Sequence, residues 1–281
     1  AGMPDSIARR LFDMGVRKIG GRVVVDTLGL QEQGPGYGWE YSDLRHSYGA
    51  GLYALNYRDN ATEGARAVTD PVRRFTSEVG RAFTRNGIEL TDSVMDSDRN
   101  MSLLPVYIHR SPTKEEILRV MMEQSHNLYA EAMLRALAPG SECEEALQRE
   151  VDLLSSLGLD MTCLNAFDGS GLSRQDALTP LFMADMLQRM AATPFADRYV
   201  ALFPKAGLEG TVKRFLCDTP LEGRMVLKSG SMRGVQTFAG YKLDDCGKPT
   251  HVVVIMVNQF VCNRDAVRKA MTNMLLRYFP G

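Results

Sequence analysis

The chain has 281 residues, 44% of them hydrophobic and 24% charged, with 33 basic against 34 acidic side chains and a formal net charge of −1. That balance excludes a disordered chain, which needs fewer apolar residues and more net charge. It also excludes a nucleic-acid binder acting through bulk positive charge. No window approaches the ~18 uninterrupted apolar residues of a membrane-spanning helix, so the expectation is a soluble globular protein of one or two domains.

Ile7, Leu11, Phe12 and Met14 predict a helix over 5–15, stopped by Gly15. A turn in RKIGG and a short buried strand over Val23–Val25 follow. From Gly29 to Gly51 glycines alternate with aromatics, including the only tryptophan, Trp39, which predicts irregular but packed structure. The stretch 60–69 is small, polar and without period. It predicts a boundary near 61–70, dividing the chain into 1–68, with the glycine- and aromatic-rich stretch, and 69–281.

Asp70 as N-cap and Pro71 at the first helical position open a helix through Val72, Phe75, Val79 and Phe83, closed by Asn86-Gly87. Residues 114–137 form one long amphipathic helix or a pair, ended by Pro139-Gly140, and 142–157 supply another. Three apolar or alternating runs, Met225–Leu227, Val235–Leu243 and His251–Val257, are joined by tight glycine connections and predict an antiparallel meander. An amphipathic helix over Arg264–Phe279 closes the chain. The order predicts an α+β fold, a sheet covered by helices.

The five cysteines and four histidines do not cluster, which argues against a zinc site and leaves the cysteines structural or incidental; one disulfide stays open. The opening AGMPDSIARRLFDMG lacks a secretion leader, so either the protein is cytosolic or a leader has been removed.

Three short segments interrupt their surroundings with chemistry. Ser125-His126-Asn127 breaks an amphipathic pattern, and Ser and Asn are poor helix-interior residues, so a cap opening a new helix at Leu128 accounts for them on their own. Lys228-Ser229-Gly230-Ser231 ends an apolar strand; an edge lysine beside a turn is the plain alternative. Asp168-Gly169-Ser170-Gly171-Leu172-Ser173-Arg174 demands a tight backbone path that an ordinary loop also uses.

In order and spacing the three together resemble the class C low-molecular-mass penicillin-binding proteins, serine D-alanyl-D-alanine carboxypeptidases and endopeptidases with S-x-x-K, S-x-N and K-T-G motifs. Ser125-His126-Asn127 fits S-x-N, and Lys228-Ser229-Gly230 fits K-T-G with Ser for Thr. The stretches HRSP, EQSHNLYAEAMLRAL, DGSGLSR, LTP, KAGLEGTVKR and GVQTFAGY are similar to family sequence, from about residue 70 to 281 and more loosely from Ile7 to Asn60. The resemblance implies a β-lactamase/transpeptidase-like antiparallel sheet covered by helices, with the remnant of an inserted subdomain. It further implies acyl transfer on peptidoglycan stem peptides, β-lactam binding, a periplasmic or other extracytoplasmic location, and no metal or cofactor.

Carried over residue by residue, Ser125 passes a proton to the leaving amine and Asn127 orients the substrate amide. Lys228 supplies positive potential, Ser229 donates to the substrate carboxylate beside Gly230, and the Ser231 N–H forms half of an oxyanion hole. The nucleophile is unassigned. The one S-x-x-K match is Ser111-Pro112-Thr113-Lys114, placed in the HRSP stretch just before S-x-N, where the resemblance expects no nucleophile. It reads as a decoy, with Ser111 as an N-cap, Pro112 in the first turn, and Lys114 held in solvent by Glu115 and Glu116. A processed or partial chain, a sequence with segments left out, and a natural remnant without catalysis all fit. Two further readings stay open: a non-catalytic domain that binds cell-wall peptide or a partner protein, and a β-lactamase or esterase on the same fold.

Overall fold

The computed structural model describes residues 2–21, 23–91 and 105–280. Contacts divide the chain into two units, 1–35 with 42–112 and 36–41 with 113–281.

The first unit opens with helix α1 (Met3–Asp13), ended by the turn at Gly15 (φ +89°), and strand β1 (Lys18–Gly20). Helix α2 (Pro71–Arg85) starts as the sequence predicts: Asp70 accepts the Arg73 N–H, and Pro71 fills a position whose missing N–H costs nothing. Strand β2 (Glu89–Thr91) pairs with β1 in parallel. The unit's core is Ala8 of α1 against Val79, Ala82 and Phe83 of α2, closed by Ile88.

One expectation changes here. The strand sits at Lys18–Gly20 rather than Val23–Val25, where Val24 is 84% exposed; among the described residues the β-branched run pairs with no strand, whereas Lys18 faces Glu89 across the ladder. Helix α2 packs with α1 in the first unit because their apolar faces bury each other.

The second unit begins with α3 (Lys114–Gln124) and α4 (Asn127–Arg135), a pair rather than one long helix, followed by α5 (Cys143–Ser156). A small antiparallel pair, β3 (Leu164–Asn165) and β4 (Ala177–Leu178), spans the DGSGLSR loop. In the LTP segment Thr179 caps α6 (Pro180–Ala191) by accepting the Phe182 N–H, and a short helix, α7 (Ala196–Val200), follows.

The predicted meander is present as β5 (Met225–Met232), β6 (Val235–Leu243) and β7 (Pro249–Asn258), antiparallel in the order β5-β6-β7, followed by α8 (Arg264–Tyr278). Alternation along the strands sorts the side chains into two cores. Met225, Leu227, Phe238 and Val253 pack on Val267, Met271 and Leu275 of α8. Val226, Tyr241 and Leu243 pack on Leu187 of α6 and on Val200 and Phe203. The second unit is therefore α+β, a sheet with helices on both faces.

No disulfide links the cysteines, no group of three or more His, Cys, Asp or Glu is arranged to hold a metal ion, and no helix is long and apolar enough to cross a membrane, all among the described residues.

Candidate active site

Strand β5 lies at the edge of the sheet, and only its first part is covered. The Ala206 N–H donates to the Met225 carbonyl and the Leu227 N–H to the Pro204 carbonyl. From Lys228 onward no strand pairs with that edge among the described residues. Lys228, Ser229, Gly230 and Ser231 occupy this open stretch.

Ser125 reaches it through a break between two helices. The residue caps α3 in the left-handed region, φ +55° and ψ +53°, and α4 begins two residues later. A serine in that region costs of order 1–3 kcal/mol, a strain found mostly where function fixes the geometry. Lys228 Nζ donates to Ser125 Oγ at 2.6 Å and to its neighbour's carbonyl, Ser229 O, at 2.7 Å. Burial pushes the Lys228 ammonium down to about 8.

The approach of α3 to the sheet depends on Gly210. A Cβ there would run into the Glu123 carbonyl, two residues before Ser125, so only glycine lets the backbones touch. The next residue, Thr211, places its hydroxyl 2.8 Å from Ser229 Oγ. Gly230 has a similar reason: a Cβ would collide with the Thr237 hydroxyl on the neighbouring strand.

The structure thus joins Ser125 to Lys228 directly and sets Asn127 at the first position of α4. It ties buried Ser229 to Thr211 and leaves Ser231 exposed at the strand edge. Helix α4 starts at Asn127 rather than Leu128, with His126 as N-cap. Thr211 was not singled out in the sequence, because a lone threonine in a glycine-rich stretch has no signal of its own.

The DGSGLSR loop is a scaffold under α4. Asp168, 6% exposed, accepts the N–H groups of Gly171 (2.6 Å) and Ser173 (2.7 Å) and the indole N–H of Trp39 (2.7 Å). Glu131 of α4, 5% exposed, accepts the Gly169 and Ser170 N–H groups at 3.3 and 2.9 Å. Burial, then the charge of Asp168, raises Glu131 to about 7, although the loop N–H bonds pull the other way. The same two causes raise Asp176 and Glu150.

The Ser111–Lys114 segment is corrected in detail. Thr113, not Ser111, caps α3: it accepts the Glu116 N–H at 3.3 Å, and Glu116 accepts the Thr113 N–H at 2.7 Å. Pro112 therefore precedes the helix. Ser111 and Lys114 are both exposed. The two glutamates serve other partners, Glu116 the cap and Glu115 the guanidinium of Arg198 at 2.7 Å.

Residues 54–278, which contain both motifs, match the D-Ala-D-Ala carboxypeptidase 3 (S13) family. The chain belongs to this family. It is 32% identical over 142 residues to a D-alanyl-D-alanine carboxypeptidase of Actinomadura sp. (strain R39), a match covering 47% of this chain and 26% of that one. It is 27% identical over 182 residues to the penicillin-sensitive carboxypeptidase A of Dictyostelium discoideum, covering 62% and 35%. The chain therefore spans about a third or less of the length of these two relatives. Its fold is that of penicillin-binding protein 4 (dacB) from Haemophilus influenzae, with a TM-score of 0.81 at 20% identity over 98% of this chain and 78% of that one. A structure of the same Haemophilus protein complexed with a β-lactam gives a TM-score of 0.73 at 19% identity, over 98% and 77%. The β-lactamase/transpeptidase-like α+β class expected from the motifs is the observed one.

Proposed function

We propose that the protein is a serine-type D-Ala-D-Ala carboxypeptidase or endopeptidase acting on peptidoglycan stem peptides outside the cytoplasm through an acyl-enzyme. The observation that carries this reading is the 2.6 Å contact between Lys228 and Ser125 beside the open half of an edge strand. Family membership supports the reaction class, and the geometry supports the division of labour.

An extended peptide laid along β5 would meet the Ser231 N–H at the scissile carbonyl, as strand addition to an exposed edge requires. Lys228 and the Ser229 hydroxyl, itself held by Thr211, would meet the terminal carboxylate. Ser125 would deliver a proton to the departing amine, with Lys228 restoring the hydroxyl. Such proton transfer by a positioned side chain contributes typically about 10²–10⁴-fold. Asn127 would orient the substrate amide. The attacking hydroxyl is not among the residues assigned here, and residues 1–68 belong in this reading to an inserted subdomain.

Intact-mass analysis of the full-length protein with labelled penicillin tests the proposal. One covalent adduct per chain is expected. A chain proven complete that takes none would be a domain that binds cell-wall peptide or a partner protein without turnover.

A further inference from the structure

Behind Ser231 lies a polar chain that the reaction scheme does not use. Gln236 of β6 is opposite Ser231 in the ladder and is fully buried, 0% exposed. A buried amide is costly unless its hydrogen bonds are made. Gln236 Nε2 donates to the Gly230 carbonyl at 3.1 Å and more weakly to Thr237 O at 3.4 Å. Its Oε1 accepts from Arg268 Nε of α8 at 3.1 Å. One turn earlier on α8, Arg264 Nη2 donates to the Met232 carbonyl at 2.7 Å. Two arginines of the last helix thus hold the end of β5.

The Gly230 carbonyl and the Ser231 N–H belong to one peptide group. That group is planar, with the two bonds pointing opposite ways, so a donor fixed on the carbonyl fixes the direction of the N–H. The ladder holds this peptide on one side only: Gly230 pairs with Thr237 of β6, while the Ser231 N–H faces the edge that no strand covers among the described residues, after a glycine, the residue with the least backbone restraint. Donation to the carbonyl also polarises the amide, and chained hydrogen bonds strengthen one another. A guanidinium at the far end adds a charge to that chain.

We propose that Gln236 is a positioning residue for the oxyanion donor. Through Gly230 it aims and polarises the Ser231 N–H, and Arg268 in turn orients and polarises Gln236. The inference rests on the reading of Ser231 given under Proposed function.

The test uses the full-length protein and the variants Gln236→Glu and Arg268→Met. Gln236→Glu keeps the shape and gains an ion pair with Arg268, but a carboxylate cannot donate to Gly230. Its acylation by labelled penicillin should slow about 10-fold or more, short of the ~10²–10³-fold cost of losing an oxyanion donor outright. Affinity for a D-Ala-D-Ala peptide should change by less than about twofold, because the lost interaction serves the transition state. Arg268→Met, at a half-buried position on the outer helix, should slow acylation less. Combined with Gln236→Glu it should cost less than the product of the two, as coupled neighbours do.

A second readout does not depend on turnover. In ¹⁵N-labelled protein the Ser231 amide proton should move upfield in Gln236→Glu and, less, in Arg268→Met, while amides of β7 stay in place. Unchanged acylation with an unmoved Ser231 amide would overturn the proposal, as would a loss confined to peptide affinity. A wild-type protein that takes no penicillin sinks the enzyme reading instead, and the Ser231 amide shift then decides the relay alone.

Discussion

Lys228 and Ser125 are 103 residues apart in sequence and joined by a 2.6 Å hydrogen bond. The lysine comes from a strand edge and the serine from a left-handed break between two helices, so neither local element accounts for the contact. What brings them together is the packing of α3 on the sheet, for which Gly210 is the spacer.

In the roles proposed for the pair, Ser125→Ala and Lys228→Met should each lower acylation of the full-length protein by about 10²–10⁴-fold. The double variant should lose little more than the worse single one. Neither should lower thermal stability by more than a few degrees, since in Ser125→Ala the ammonium keeps the Ser229 carbonyl as an acceptor and Lys228→Met removes the buried charge itself. Stopped-flow acylation and calorimetry of the three variants check this. Independent, multiplying losses would mean that the hydrogen bond is structural only.

Lys228 should also set an alkaline limb. Its ammonium is held down to about 8 by burial, and the charged form is the one that would attract a substrate carboxylate. Above that pH the free enzyme loses the charge, so kcat/KM for a peptide ending in a carboxylate should fall through about 8. A bound carboxylate favours the ammonium, so kcat should fall at higher pH than kcat/KM does. In Lys228→Arg, which stays charged, the limb near 8 should vanish even though the rate is low. Parallel pH profiles of kcat and kcat/KM decide it.

The sequence makes some of this arrangement legible and hides the rest for physical reasons. Both motifs stand out because their residue types are wrong for the periodic elements around them, and the meander shows in alternation alone. The left-handed turn at Ser125 is hidden, because nothing short of the sheet contact explains why a serine rather than a glycine ends α3. At 111–113 two cap candidates compete, and the reciprocal bonds between Thr113 and Glu116 favour the later one. The β1–β2 pair is too short and too distant in sequence for propensity to report, whereas the β-branched run at 23–25 carries a strand signal without forming a strand. Gln236 reads as an ordinary polar residue in a strand until Arg268 and Gly230 are seen on either side of it.

Glu131 should make stability fall as pH rises. Its carboxyl is raised from about 4.5 to about 7 in the folded chain. Between those values the folded state keeps a proton that the unfolded state has released, so the contribution is fully present below about 4.5 and is lost as pH climbs through about 7. Asp176 and Glu150, raised by the same causes, add slope of the same sign, and the loop N–H groups at Gly169 and Ser170 oppose it. Glu131→Gln should flatten the decline by about 2–3 kcal/mol. Urea unfolding at pH 5 and pH 7 measures the slope. An unchanged difference between the two pH values would show that Glu131 does not hold the proton.

The 281 residues expressed on their own should form no stoichiometric adduct with penicillin, whereas any form of the protein carrying an additional Ser-x-x-Lys should. Covalent catalysis needs a hydroxyl activated by an adjacent base or by a lowered pKa. Ser111 has neither: it is exposed, the cap position belongs to Thr113, and Lys114 is exposed as well. Ser125 has a lysine neighbour, but below about 8 that lysine is a donor to its oxygen, which holds the hydroxyl rather than deprotonating it. In the proposed scheme Ser231 supplies one oxyanion donor and the nucleophile's own N–H the other, and removing one member of a coupled group costs nearly as much as removing all. Weak reversible binding of a D-Ala-D-Ala peptide should survive, since Lys228, Ser229 and Asn127 remain. Time-resolved intact mass with excess labelled penicillin, followed by peptide mapping, gives the answer, and Ser111→Ala should leave every trace unchanged. An adduct mapped to Ser111 would make that serine the attacking hydroxyl, and one mapped to Ser125 would exchange the roles given to Ser125 and Lys228 for those of nucleophile and base.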